Sequence, residues 1–246
     1  MRYALHAEWT KLRTTPGMSL LLLTLVAATV GIGVLAAAAT DCPAGICSVD
    51  VARVTLTGVQ LGQAVVAVLA VQLIGGEYST GMIHNSLAAV PRRLTVLAAK
   101  ALILTAVVTA AAAAGVIGSL VAGNRLLPLP VTDSAVLRAA AGSVLYLVLI
   151  GLLALGVTTA VRNPATGAGV VLGLLYVFPI IGLATTDPDL RRHLDQIAPM
   201  AAGLAIQATT GLDTLVISPW RGLAVLGGWA VAALFAGGLL LRSRDA

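Results

Sequence analysis

Residues 18–39 read MSLLLLTLVAATVGIGVLAAAA, a stretch without one charged side chain. About 20 such residues, rising ~1.5 Å each as a helix, cross the ~30 Å hydrocarbon core of a bilayer. Working outward, five more stretches carry almost no charge: 56–76, 96–122, 139–161, 164–184 and 222–241. The whole chain is 59% hydrophobic and 10% charged, with a mean hydropathy of +0.99. So little charge does not cover a soluble surface. Barrel strands would alternate polar and apolar residues, and that alternation is missing, so helices must satisfy the backbone in lipid. The sequence predicts an all-α integral membrane protein, with residues 1–246 forming one domain of six transmembrane helices.

The first stretch also invites reading as a secretory signal, because LAAAAT at 35–40 imitates a cleavage site. The apolar run is longer than a signal core, however, and five more spans follow, so it is expected to be retained. Orientation follows from cations. With an even number of spans, both termini share a side with the connections at 77–95 and 162–163. That side holds nine Lys and Arg against six on the other. The bias places both termini in the cytoplasm and the protein in the cytoplasmic membrane. The net charge of +5 therefore reflects topology, and no nucleic-acid partner is implied.

Between the spans the chain gives local signals. Residues 1–16 set Leu5, Trp9 and Leu12 on one narrow helical face, flanked by Arg2, Glu8, Lys11 and Arg13, the pattern of a helix lying in the interface. Pro16-Gly17 breaks it before span one. Both cysteines, Cys42 and Cys47, fall in the first outer loop, where they either close a small disulfide ring or remain thiols. Gly58-x-x-x-Gly62 and Gly169-x-x-x-Gly173 offer close helix approach. Gln60, Gln63 and Gln72 in span two face other helices or a wet path. Asn163-Pro164 and Ser218-Pro219 start spans five and six, and Pro179 should kink span five. The outer segment 185–217 contains an apolar part too short to cross, so it reads as a re-entrant or interfacial helical element.

Several chemistries find no residues. Neither Lys11 nor Lys100 ends a phosphate-binding loop, and His6, His84 and His193 are scattered, which argues against a metal centre. No catalytic set shares one depth. Glu77 sits at the end of span two and no other acid enters a span, whereas ion-driven transport calls for an ionisable group or broken helix at mid-membrane.

Against this background, residues 75–100 stand out: GGEYSTGMIHNSLAAVPRRLTVLAAK. Ile83, Leu87 and Val90 recur at helical spacing and Pro91 stops the pattern, with Arg92-Arg93 at headgroup depth. The segment resembles the one that follows the second span in ABC-2-type transporter permeases, E-Y-x-x-G-x-I-x-x-[ST]-L followed by P-R-R and A-K. The head EWTKLRTTP (8–16) and the tail SPWRGLAVLGGWAVAALFAGGLLLRSRDA (218–246) resemble the entry and last span of the same family. His84-Asn85 departs from the family's more usual Arg or Thr pair, which bears on contacts with a partner.

The resemblance implies the type V exporter permease fold, two permease copies or homologues and two cytoplasmic ABC ATPases. ATP and Mg would sit on the ATPase, and this chain would bind no cofactor and catalyse nothing itself. Residues 77–93 would be the coupling helix, with Glu77, Tyr78, Gly81, Ile83 and Leu87 matching the motif and Arg162-Asn163 making a lesser contact. The 185–217 element would shape an exit gate. A hydrophobic or amphiphilic drug, antibiotic, peptide or lipid would move along the interface between permeases, lined by parts of spans one, two and five, with Thr57, Gln60 and Gln63 as polar lining. Rival readings are a self-powered transporter or channel, an intramembrane enzyme, and a membrane scaffold that transports nothing.

Overall fold

The computed structural model describes residues 2–42, 47, 49–83 and 93–243. Among them every regular element is helical. The head α1 (Arg2–Thr14) is followed by α2 (Pro16–Ala38), the short α3 (Val51–Thr55), α4 (Gly58–Thr80), α5 (Arg93–Gly123) and α6 (Ser134–Val161). Then come α7 (Pro164–Ala184), α8 (Pro188–Ile197), α9 (Pro199–Leu204) and α10 (Pro219–Ser243). Six helical stretches are long and apolar enough to cross a membrane, with α3 and α4 forming one of them. The protein is a multi-pass membrane protein.

The helices start where side chains can serve their unpaired N–H groups. Proline occupies the first turn of α2, α7, α8 and α9. Asp133 accepts from the Ala135 amide at 3.0 Å before α6, Asn163 from Thr166 at 3.0 Å before α7, and Asp187 from Asp189 at 2.9 Å before α8. Each such cap stabilises its helix by about 1 kcal/mol.

The six spans are not equivalent. In α3–α4 and in α6, 61% of the most apolar window is buried, against 22–28% in the other four. The bundle therefore has two inner spans wrapped by outer ones. α6 packs against α10, α4, α5 and α7, and its Tyr146, Leu147, Ile150 and Leu153 have no exposed surface. Its contact with α10 depends on Gly156, where a Cβ would lie 2.5 Å from the backbone at Ala233 and Leu234. The two G-x-x-x-G pairs behave differently. Gly58 and Gly62 press against Thr29 and Leu25 of α2, whereas a Cβ at Gly169 or Gly173 would meet nothing within 4 Å, so that pair faces outward.

Span two departs from the sequence expectation at its far end. Residues 56–76 are expected to form it, with Gly75-Gly76 loosening the helix and Glu77 at its boundary. The helix instead continues through Thr80 and ends at Gly81, whose φ of 70° is left-handed. Gly75 lets Pro164 of α7 approach, since a Cβ there would meet the proline ring at 2.7 Å. Glu77 stays helical because it is buried among cations, as described below. Span three likewise starts at Arg93 and carries Lys100 inside it.

At the end of the bundle away from the termini, the segment after α9 is drawn inward. Ile206, Gln207 and Ala208 are buried, with Gln207 Nε2 donating to Ser143 Oγ at 3.1 Å and to the Leu56 carbonyl at 3.4 Å. Arg138 of α6 donates to the Ala208 carbonyl at 2.6 Å. Asp50, which caps α3, accepts from Thr209 N at 2.5 Å, Thr209 Oγ1 at 2.7 Å and Thr210 N at 3.1 Å. Cys42 and Cys47 are disulfide-bonded, with Cα atoms 4.5 Å apart.

Candidate functional site

The site is best built from Lys100. It lies on α5 with none of its surface exposed, and a buried ammonium must find acceptors and counter-charges or be strongly destabilising. Lys100 Nζ donates to Glu8 Oε2 at 2.8 Å, Glu77 Oε1 at 2.8 Å and the Leu73 carbonyl at 3.2 Å. Those three bonds use all three of its donors. Lys11 Nζ adds bonds to Glu77 Oε1 at 2.6 Å and Glu8 Oε1 at 3.2 Å. Among the described residues, two carboxylates and two ammoniums, drawn from α1, α4 and α5, thus form one mostly buried network.

The local folding follows from spacing. Glu8, Lys11 and Leu12 share a helical face, so once α1 packs on α5 and α2 its charges enter the bundle together. The sequence expectation for the head is a lipid-facing stripe of Leu5, Trp9 and Leu12. Leu12 is buried, but so is Glu8, and Trp9 is 43% exposed. Burial alone would lower the Lys11 pKa; the hydrogen bond to Glu77, the charges of Glu8 and Glu77 and the hydrogen bond to Glu8 outweigh it and leave it raised above 10.5. Lys11 is therefore protonated throughout the neutral range.

Sequence reasoning misses Glu8, Lys11 and Lys100 as a set, because it treats them as surface charges that orient the chain. The available signal is Lys100 itself, a cation inside an apolar span, which calls for a buried partner.

The expected coupling residues lie around this network. Glu77 is in it, and Tyr78 follows, its hydroxyl buried without a hydrogen-bond partner. Gly81 makes the turn, and Ile83 resumes helical geometry and is 4% exposed. Leu87, and most of the expected 77–93 coupling helix, lies outside the described residues. Arg162 turns its side chain onto α10, whereas Asn163 stays exposed. Arg162, in left-handed conformation with φ 61°, donates to the Leu240 carbonyl at 3.1 Å, while Asn163 caps α7. Arg93 donates to the neighbouring Leu241 carbonyl at 2.9 Å. Two arginines thus hold the last carbonyls of α10, where the helix dipole favours positive charge.

The three expected path residues are not brought together. Gln63 has no exposed surface; its Oε1 accepts from Tyr146 Oη and its Nε2 donates to Met200 Sδ at 3.2 Å, so it joins α4 to α6 and α9. Of its two readings, this is the interhelical bond. Gln60 lies on the open face of α4, with its carbonyl accepting from Tyr176 Oη at 3.0 Å. Thr57 sits at the break between α3 and α4, its hydroxyl donating to the Arg53 carbonyl at 3.2 Å. Among the described residues, no three His, Cys, Asp or Glu side chains converge as a metal site would require.

The chain's sequence matches a known family. A family model described as an ABC-2 family transporter protein matches residues 4–180, which include most of α1, the four residues of the ion network, four of the six spans and most of the fifth. A search of curated proteins found no match.

Proposed function

Because the chain belongs to the ABC-2 family of transporters, we propose that it is the membrane subunit of an ATP-driven exporter. It works in the cytoplasmic membrane with both termini cytoplasmic, paired with a second permease copy or homologue. A separate cytoplasmic ABC ATPase binds ATP and Mg and powers it. The cargo is a hydrophobic or amphiphilic compound, in keeping with the apolar spans.

The observation that carries this reading is the placement of Glu77. It ends α4 one turn before Gly81, where the polar segment 81–93 begins, and it is ion-paired to both α1 and α5. A push on that segment would therefore be felt by three helices at once. Electrostatic attraction depends weakly on angle, so such a network can shift without losing its pairing. The open sides of α2, α4 and α7 support a second copy there, with Gln60 between the two; Leu20, Leu61 and Val177 are 64%, 48% and 48% exposed. A self-powered carrier would want its ionisable group at mid-depth, and this network sits at the end of the bundle.

The test is co-purification with a candidate ABC ATPase, followed by ATP hydrolysis by the complex in lipid. Ile83→Pro is expected to release the ATPase or to lower stimulated turnover at least tenfold with the permease still monodisperse, and Glu77→Lys to do the same while also lowering permease stability, because it leaves three ammoniums on one buried carboxylate. Ile83→Pro leaves the ion network untouched, so it isolates the segment's own role. An intact complex with unchanged turnover in both variants would sink the coupling assignment.

A further inference from the structure

The outer segment 185–217 divides at Ala198 into two parts that are held in different ways. Beyond Ala198, every residue from 202 to 208 is buried. Met200 Sδ accepts from Gln63, Gln207 donates to Ser143 and to the Leu56 carbonyl, and the Ala208 carbonyl takes the Arg138 guanidinium. Gly203 seats this stretch against α6, since a Cβ there would lie 2.6 Å from the Tyr146 ring. Breaking such contacts strands buried polar groups and opens a void, so this half is fixed to the inner spans.

Before Ala198, α8 is the opposite case. None of its residues is buried, and Leu190 and Ile197 are 47% and 50% exposed. Among the described residues its Asp189, Arg191, Arg192 and Asp195 make no ion pair. Among the same residues one hydrogen bond ties α8 to another helix: Trp229 Nε1 of α10 donates to the Ile197 carbonyl at 2.9 Å. Both ends of α8 are joints. Thr185 and Asp187 before it and Ala198 after it are all extended. Pro188 and Pro199 keep them so, because a residue that precedes proline is held out of helical conformation. A short helix with no buried side chain, one tie and two joints belongs to the least stable parts of a fold.

This helix also borders a space. A cavity of about 270 Å³ lies between α3, α7, α9 and residues 215–217, and Asp195 of α8 completes its wall beside Arg53, Pro179 and Ala201. We propose that α8 is a lid on this cavity, hinged at 185–187 and at Ala198 and latched by the Trp229 indole, with 199–210 as its fixed seat. Lid movement carries Asp195 out of the wall and opens the cavity at the end of the bundle away from Glu77. The movement belongs to the permease alone; the exporter reading bears only on what passes when the lid is open.

The test uses the purified full-length permease in phosphatidylcholine nanodiscs, with no ATPase present. Amide exchange read by mass spectrometry should be at least a hundredfold faster over 190–197 than over 202–208. Trp229→Phe removes the latch and should speed exchange in α8 about fivefold, the worth of one hydrogen bond. Exchange over 202–208 should stay unchanged, which also reports that the variant is folded. A second readout follows opening itself. Cys42 and Cys47 are bonded to each other, so Ala201→Cys places the one free thiol of the chain in the cavity wall. Its reaction with fluorescein maleimide, a rigid charged reagent, should be several-fold faster when Trp229→Phe is added. Equal exchange in the two halves, an effect of Trp229→Phe that spreads to 202–208, or a labelling rate that it does not raise would each overturn the proposal. If the lid behaves as expected while no ATPase ever couples to the permease, the exporter reading fails and the lid stands.

Discussion

Glu77 and Asp50 are carboxylates at opposite ends of the same span, and they are satisfied in different ways. Glu77 is almost fully buried and bonds side-chain ammoniums contributed by two other helices. Asp50 is partly exposed and bonds mainly backbone N–H groups, from Thr209, Thr210 and its own α3. Backbone amides are fixed in direction, and Arg138 holds the adjoining Ala208 carbonyl from the other side. An ammonium carries three donors on a flexible stem and can follow a moving carboxylate more readily than a backbone amide can. The span is therefore fastened rigidly at one end and held by adjustable charge at the other. That is a suitable build for a helix that must move at one end while a folded segment beyond its other end stays in place.

The comparison is broken most severely at Lys100. Lys100→Met leaves two buried carboxylates sharing one ammonium, and should cost about 3–5 kcal/mol of stability. Adding Glu77→Gln should recover part of that loss, and a thermal-unfolding double-mutant cycle in detergent would read the coupling. Additive losses would mean the network is not one unit. Asp50→Ala should cost less, about 1–2 kcal/mol, because the amides it abandons lie where water can reach them. Its signature should be local: faster amide exchange at Thr209 and Thr210, with the bundle unchanged.

The smallest effect is on pH dependence. Burial alone would raise the Asp50 pKa, but the hydrogen bonds from Thr209, Arg53 and Thr210 outweigh it and hold it below the ordinary 3.8. A depressed folded value means its stabilisation is present above pH 3.8 and is lost as pH falls through the lower folded value. Lys11 is the opposite case. Its raised pKa gives stabilisation fully present below 10.5 and lost as pH rises through the higher folded value. Neither group should slope the unfolding midpoint between those limits. Asp50→Ala should remove part of the acid limb and Lys11→Met part of the alkaline limb.

How much of this can be read in the sequence depends on the range of the interaction. The spans are legible because hydrocarbon thickness imposes a length, and the helix starts because Pro, Asn and Asp act on neighbours within three residues. Which spans lie inside is not legible. The polar Gln63 and Tyr146, far apart in the chain, meet only after α4 and α6 pack. The same holds for Asp50 with Thr209, and for Glu8 with Lys100. Charges counted for orientation look alike whether they end in water or in the bundle. The two G-x-x-x-G pairs make the point in miniature: the same spacing is filled by α2 in one case and left open in the other.

The two arginines on the last carbonyls of α10 have a consequence for the order of events during synthesis. Arg93 opens α5 and Arg162 turns from α6 to α7, yet their acceptors, Leu241 and Leu240, lie 148 and 78 residues further along the chain. Those two bonds close only after α10 has been inserted. Both connections on the face proposed for the ATPase thus take their final form late, so an unfinished permease offers its partner an unfinished seat.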